Sequence, residues 1–242
     1  MYSLTSVWQT AKDNVTFVLV VLGIAALIFI AAYLVERAEV RGRNEKILTT
    51  KKIAVIGMFS AIAAVLMFFE FPIWFAPSFY ELDFSEVPVL ICAFAFGPVA
   101  GVMAEFCKVL LKLVLKGTTT AFVGDFANFV IGCSFILPSA IIYKYKKNRK
   151  NAIVSVAVGT MCMTIFGSLF NAVYLLPKFA QLFGLPLDQI IAMGSAINGA
   201  INSVSTLVLF AVVPMNLLKG GAVSLITILI YKKISIILKG VK

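Results

Sequence analysis

The charge-free run Val15–Val35 constrains this chain more than any other feature. Coiled at about 1.5 Å per residue, it crosses roughly 30 Å of hydrocarbon, and a helix apolar on every face for that length has no place on a soluble domain. Similar runs follow at Ile53–Phe69, Ala121–Tyr143 and Ala152–Leu176. None alternates polar with apolar positions as outer-membrane strands do. The expected fold class is an all-α integral membrane protein. The composition agrees, with 61% of 242 residues hydrophobic and 13% charged, against about 25% charged in an ordinary soluble domain.

The few charges are sorted along the chain. Of 21 basic residues, six lie between Arg37 and Lys52, five between Lys144 and Lys150, and four after Tyr231. Basic helix ends mark the cytoplasmic side and meet anionic lipid heads there, so the net charge of +10 is no argument for nucleic acid. Arg37, Arg41 and Arg43 follow the first run, and only Lys12, beside Asp13, precedes it. That order predicts an uncleaved anchor with its N-terminus outside, not a removed signal peptide. The expected organisation is an accessory anchor over residues 1–36, a basic cytoplasmic linker over 37–52, and a six-helix membrane domain over 53–242.

Core crossings are expected at Ile53–Phe69, Glu86–Phe96, Val99–Leu115, Ala121–Tyr143, Ala152–Leu176 and Leu217–Tyr231, which makes seven with the anchor. Glu86–Phe96 is short, implying a tilt or a locally thinned membrane. Ile190–Val213 carries Ser195, Asn198, Asn202, Ser205 and Thr206. That polar stripe suits a segment lying on the external surface or folding back into a pocket mouth.

Acidic residues gather elsewhere. Glu70, Glu81, Asp83 and Glu86 surround a segment broken by Pro72 and Pro77 and rich in aromatic side chains. Proline bars a continuous helix, and charge at bilayer depth is costly, so Phe71–Glu86 is expected at the outer surface as a cap.

Three stretches then carry a resemblance: Phe79-Tyr80-Glu81-Leu82-Asp83-Phe84-Ser85-Glu86-Val87-Pro88, Phe96-Gly97-Pro98-Val99-Ala100-Gly101 and Pro214-Met215-Asn216-Leu217-Leu218-Lys219-Gly220. In that order, over about residues 51–240, the chain resembles the riboflavin-specific substrate-binding (S) component of energy-coupling-factor (ECF) vitamin transporters. The first helix lies outside the pattern. The resemblance implies riboflavin capture at the external face of the bacterial cytoplasmic membrane. It also implies a transmembrane coupling subunit and two cytoplasmic ATPase subunits as partners, with riboflavin as transported ligand and no cofactor.

Riboflavin offers a flat apolar tricycle, a pyrimidine edge of donors and acceptors, and a polyhydroxyl chain. A site for it wants amides between apolar walls. Phe79, Tyr80, Leu82 and Phe84 can supply walls, and Asp125, Asn128, Asn171, Asn216 and Lys219 the polar set. The resemblance favours the pocket for Asn216 and Lys219 in Pro-x-Asn-x-x-Lys-Gly, and extends it to Asn128, Asn171 and Tyr80. From physics alone, Asn128 and Asn171 could equally bond a neighbouring helix, Asn216 could cap the last helix, and Lys219 could snorkel to head groups. Asp83 and Glu86 suit the start of the following helix. Glu105, Lys108 and Lys112 share one helical face and are expected to form a buried, mutually paired set. Ala54, Gly57, Ala61 and Ala64 line one face of the second helix. In the family such a stripe docks the coupling subunit; close packing inside the chain is the other reading.

The chain has no histidine, no GxxxxGK[ST] loop and no G-x-S-x-G, and Cys92, Cys107, Cys133 and Cys162 show no CxxC spacing. Phosphate-loop ATP binding and most zinc, haem and histidine chemistry therefore lack their residues. Any uphill transport would draw its power from elsewhere. The alternatives are an S component for another vitamin, a non-transport flavin-binding membrane partner, and a membrane enzyme.

Overall fold

The computed structural model describes residues 15–40, 47–118 and 120–238. The expected N-terminal Lys12–Asp13 pair and the linker residues Arg41 and Arg43 lie outside the described residues. Helices α1 (Val15–Val40) and α2 (Thr50–Phe68) come first, and the Thr49 side chain caps α2 by accepting the Lys52 amide. A two-residue antiparallel ladder, β1 (Phe71–Pro72) with β2 (Glu81–Leu82), closes the cap, with Phe71 opposite Leu82. Next come α3 (Glu86–Phe96) and α4 (Pro98–Lys116). Gly97 between them sits at φ +107, where a side chain would be strained, and Pro98 then starts the second helix in its favoured place. Helices α5 (Val123–Tyr145) and α6 (Arg149–Phe170) follow.

The last third departs from expectation. Helix α6 does not stop at Pro177; it passes through a π-turn, Asn171–Leu175, into α7 (Leu176–Phe183). After α8 (Leu187–Ser195) and an irregular stretch, α9 (Val204–Leu207) runs through a second π-turn, Val208–Val212, into α10 (Val213–Leu238). Each π-turn holds the residue four before a proline, Val173 before Pro177 and Phe210 before Pro214. The wider turn gives the proline ring room where an α-turn would clash. The final crossing therefore begins at Val204, not Leu217, and Ile190–Val213 is divided between α8 and the start of that crossing. Its polar stripe does local work. Ser203 and Thr206 form a reciprocal capping box, and Asn198 Oδ1 accepts the Ala200 amide.

Five helical stretches are long and apolar enough to cross a membrane among the described residues: Leu19–Ala38, Thr50–Phe68, Val123–Tyr145, Arg149–Leu182 and Val204–Ile234. This differs from the seven expected because α3 is too short and α4 carries Glu105, Lys108, Lys112 and Lys116. Neither needs to meet lipid alone. All of α3 is buried, and it packs against α2, α4, α5 and α10, so it forms the centre of the bundle and needs no thinned bilayer.

Helix α1 packs along α4 and α5. Ala25 and Ala32 are buried there, and Phe29 meets the Phe106 ring edge to face at 5.7 Å. Glu36, itself buried, accepts the Val99 amide at 3.0 Å and pairs with Lys144 at 3.3 Å. The amide belongs to the first turn of α4, whose unpaired N–H groups and dipole favour an anion. A Cβ at Gly97 would lie 2.7 Å from the Glu36 carboxylate, so glycine there serves both the turn and the approach.

Candidate functional site

Two polar clusters meet at the end of the bundle beneath the cap. The first is ionic. Lys108 on α4 has no exposed surface; its Nζ stands 2.7 Å from Glu105 Oε1, 3.0 Å from Ser85 Oγ and 3.4 Å from Glu86 Oε1. Both Glu105 oxygens are buried without a well-aligned hydrogen bond, so the contact with Lys108 acts through charge. Lys219 on α10 donates to Asp83 Oδ2 and pairs with Glu86 Oε1, each at 3.0 Å. One carboxylate, Glu86, is thus shared by two ammoniums, and Asp83 fastens the cap to the last helix.

Burial alone would raise the Asp83 carboxyl. Lys219 and Lys108, with the Ser85 amide donating at 2.7 Å, overrule it and hold Asp83 well below the usual carboxylate range. At the cap's edge Glu81 moves the other way, raised by burial and by Glu70, which itself pairs with Lys116. The expected Glu105–Lys108–Lys112 set is only partly joined: Lys112 turns to Asp125 on α5, 2.5 Å from its Oδ1.

The second cluster is neutral. Asn216 on α10 is buried with its Nδ2 unpartnered, as are Asn128 Oδ1 on α5 and Ser168 Oγ on α6. The three helices meet at Gly167, whose absent side chain would lie 3.0 Å from Asn216 Nδ2 and 3.4 Å from Ile131, one turn beyond Asn128. Buried polar atoms left unmet cost about 1–3 kcal/mol each, so a group of them is a feature to explain. Asn171, in the first π-turn, accepts a hydrogen bond from the Tyr80 hydroxyl of the cap. Burial pushes the Tyr80 phenol up, and it stays a neutral donor.

Of the expected walls, Tyr80 and Leu82 are buried, and Phe79 packs 4.6 Å from the Tyr80 ring and 5.9 Å from Phe179. Asp125 is engaged by Lys112, and its Oδ2 has no partner. On α2, Ala54, Gly57 and Ala61 lie exposed with open space above Gly57, whereas Ala64 is buried in the bundle. Among the described residues no three metal-ligating side chains gather at one point. Sequence reasoning missed Ser168 and Gly167, a small polar pair in an otherwise apolar helix, and Phe179. It also missed that Lys219 answers Asp83 and Glu86, a pairing across 136 positions that carries no local signal.

Residues 51–231 match the family model of the ECF transporter, substrate-specific component. The chain belongs to that family. It is a multi-pass membrane transporter component, not an enzyme. This S component is 37% identical to the riboflavin transporter RibU of Staphylococcus aureus (strain TCH60), covering 78% of this chain and 93% of that one. It is 34% identical to the riboflavin transporter FmnP of Bacillus subtilis (strain 168), over 76% and 92%, and 31% identical to RibU of Streptococcus thermophilus, over 81% and 88%. A solved structure described as "Structure and mechanism of the S component of a bacterial ECF transporter" superposes with a TM-score of 0.61 at 38% identity, covering 78% of this S component and 98% of that chain.

Proposed function

We propose that this S component binds riboflavin beneath the cap for import powered by separate subunits. The observation that carries the reading is the unmet Asn216 Nδ2 at the Gly167 junction of α5, α6 and α10, on helices that also carry the unmet Asn128 Oδ1 and Ser168 Oγ, one turn from the Asn171 that holds the cap's Tyr80. Their donors and acceptors suit a pyrimidine edge, and Phe79, Tyr80 and Leu82 suit the apolar faces of a tricycle. The names of the relatives support the same ligand.

In this reading Asn171 and Tyr80 hold each other until ligand enters. Lys219 spends two of its three donors on carboxylates and keeps one for ligand, and Asp125 offers its unpartnered Oδ2. The helices from α2 onward form the binding domain, with α1 as an added helix and the basic stretch between α1 and α2 as a cytoplasmic linker. The cap then faces outward, in keeping with the positive-inside rule. Ala54, Gly57 and Ala61, exposed on α2, are the surface for the transmembrane coupling subunit, which two ATPase subunits serve; Ala64 would back that surface from inside.

The absorbance spectrum of the protein purified in mild detergent tests the ligand, with flavin bands the expected result. Asn216→Ala should then weaken riboflavin binding about fivefold or more by titration calorimetry while the melting temperature holds. Unchanged affinity would remove Asn216 from the site. Binding of a different vitamin would keep the pocket and change its occupant.

A further inference from the structure

The cap turns part of its aromatic content outward. Trp74 is 88% exposed, more than any other large apolar side chain among the described residues, and in the same segment Phe69 is 71% exposed and Phe71 about half. Ile73, Ala76 and Pro77 beside them are buried, so the outward turn is selective. Trp74 is also held in place. Its ring meets Phe75 edge to face at 5.3 Å, and Phe75 packs against the buried cluster of Ala76, Tyr80, Ala211 and Val212.

Burying an aromatic side chain is among the largest single gains a fold can make, so a fixed indole turned outward points to a surface beyond the protein. Continuity says which. Met58, Ile62, Val65 and Phe69 are exposed at intervals of three and four along α2, a helix long and apolar enough to cross the membrane, and the stripe runs on into Phe71 and Trp74. It lies beside the Ala54, Gly57 and Ala61 face and carries no charge by which a protein partner would be selected. Charge begins where the stripe ends: Glu70, between Phe69 and Phe71, pairs with the partly exposed Lys116 at the end of α4. An indole, apolar in body with one N–H donor, is most at home where hydrocarbon gives way to charge.

We propose that the outer edge of the cap is seated in lipid, with the Trp74 indole at the head-group boundary and Phe69 and Phe71 in the acyl region beside it. The cap is then held on both sides. Tyr80 and Asp83 fasten its inner edge to Asn171 and Lys219, and the leaflet fastens its outer edge. This anchorage depends neither on which vitamin binds nor on which leaflet the cap meets.

Trp8 and Trp74 are the chain's two tryptophans, so Trp8→Phe leaves Trp74 as the sole reporter. The full chain with that change is reconstituted in vesicles of phosphatidylcholine brominated high on the acyl chains, near their ends, or not at all. Trp74 emission is expected to fall about twofold with the bromines placed high and less with those near the chain ends, and iodide should quench it about fivefold less than free N-acetyltryptophanamide. If Trp8→Phe fails to fold, the difference between wild type and Trp74→Phe supplies the same signal, and comparing lipids on one preparation cancels any bound ligand. Full quenching by iodide with no effect of bromine overturns the proposal and leaves Trp74 in water. Protection from both quenchers also overturns it, making another protein copy the cover. Stronger quenching by the deep bromines overturns the boundary placement and puts the indole inside the hydrocarbon.

Discussion

The charged cluster and the amide cluster lie beneath one cap, yet they are finished differently. In the first, every charge has an opposite charge in reach, two ammoniums engaging Asp83, Glu86 and Glu105, even though neither Glu105 oxygen makes an aligned hydrogen bond. In the second, Asn216, Asn128 and Ser168 keep atoms that nothing meets. Charge buried in a membrane cannot be left unanswered, because its desolvation exceeds what any scaffold tolerates, whereas an amide left unmet costs little enough to be carried until a ligand arrives. Under the proposed function, the ionic cluster is chiefly structural, with one Lys219 donor left for ligand, and the amide cluster supplies most of the affinity.

The largest effect should come from breaking the ionic side. Asp83→Ala leaves the largely buried Lys219 ammonium with Glu86 as its one remaining carboxylate and should destabilise the fold by about 3 kcal/mol, read as a loss of melting temperature with or without riboflavin. Acid should do the same more gently. Because the folded-state value of Asp83 is depressed, its contribution is complete above the ordinary aspartate value near 3.9 and is lost as pH falls through the lower folded one. Melting curves taken between about pH 6 and pH 3 should show a decline that Asp83→Asn lacks. If Asp83→Ala changed only ligand affinity, the division between the clusters would be wrong.

An intermediate effect is expected away from both clusters. Glu36→Ala removes the acceptor of the Val99 amide and one partner of Lys144, and should cost about 1–3 kcal/mol, with faster hydrogen exchange in α1 and at the start of α4. Riboflavin affinity should not move. The smallest effect belongs to the link between cap and cluster. Tyr80→Phe deletes one neutral hydrogen bond to Asn171 and should cost about 1 kcal/mol of stability. Its effect on titrated affinity should be smaller than that of Asn216→Ala; the reverse order would make the latch, not the amides, the centre of recognition.

Much of this was legible in the chain. The crossings of α1, α2 and α5 follow from charge-free or nearly charge-free runs, and Gly97-Pro98 separated α3 from α4 within a residue. The cap was legible because Pro72, Pro77 and four acids exclude a membrane helix. The last third was misjudged because Pro177 looks like a helix end and the polar stripe of Ile190–Val213 like a surface segment, while a π-turn ahead of Pro177 and another ahead of Pro214 let each helix continue. Among site residues, Asn216 stood out by its short motif, but the partners of Lys219 and Asp125 come from the cap and from other helices. Spacing along a sequence reports one helix face and is silent on which side chain of another helix faces it.

The contact between Glu36 and the Val99 amide settles how the first helix behaves mechanically. A peptide tether that merely leashed the domain to the bilayer would stay upright while the domain leaned. Bolted at this joint, and lying along α4 and α5, the first helix must lean with it, bringing the oily outward side chains Leu19, Leu22, Leu27 and Ile30 along. Any swing of this protein within the lipid is thus the swing of a broader body, whose resistance is set partly by its first helix.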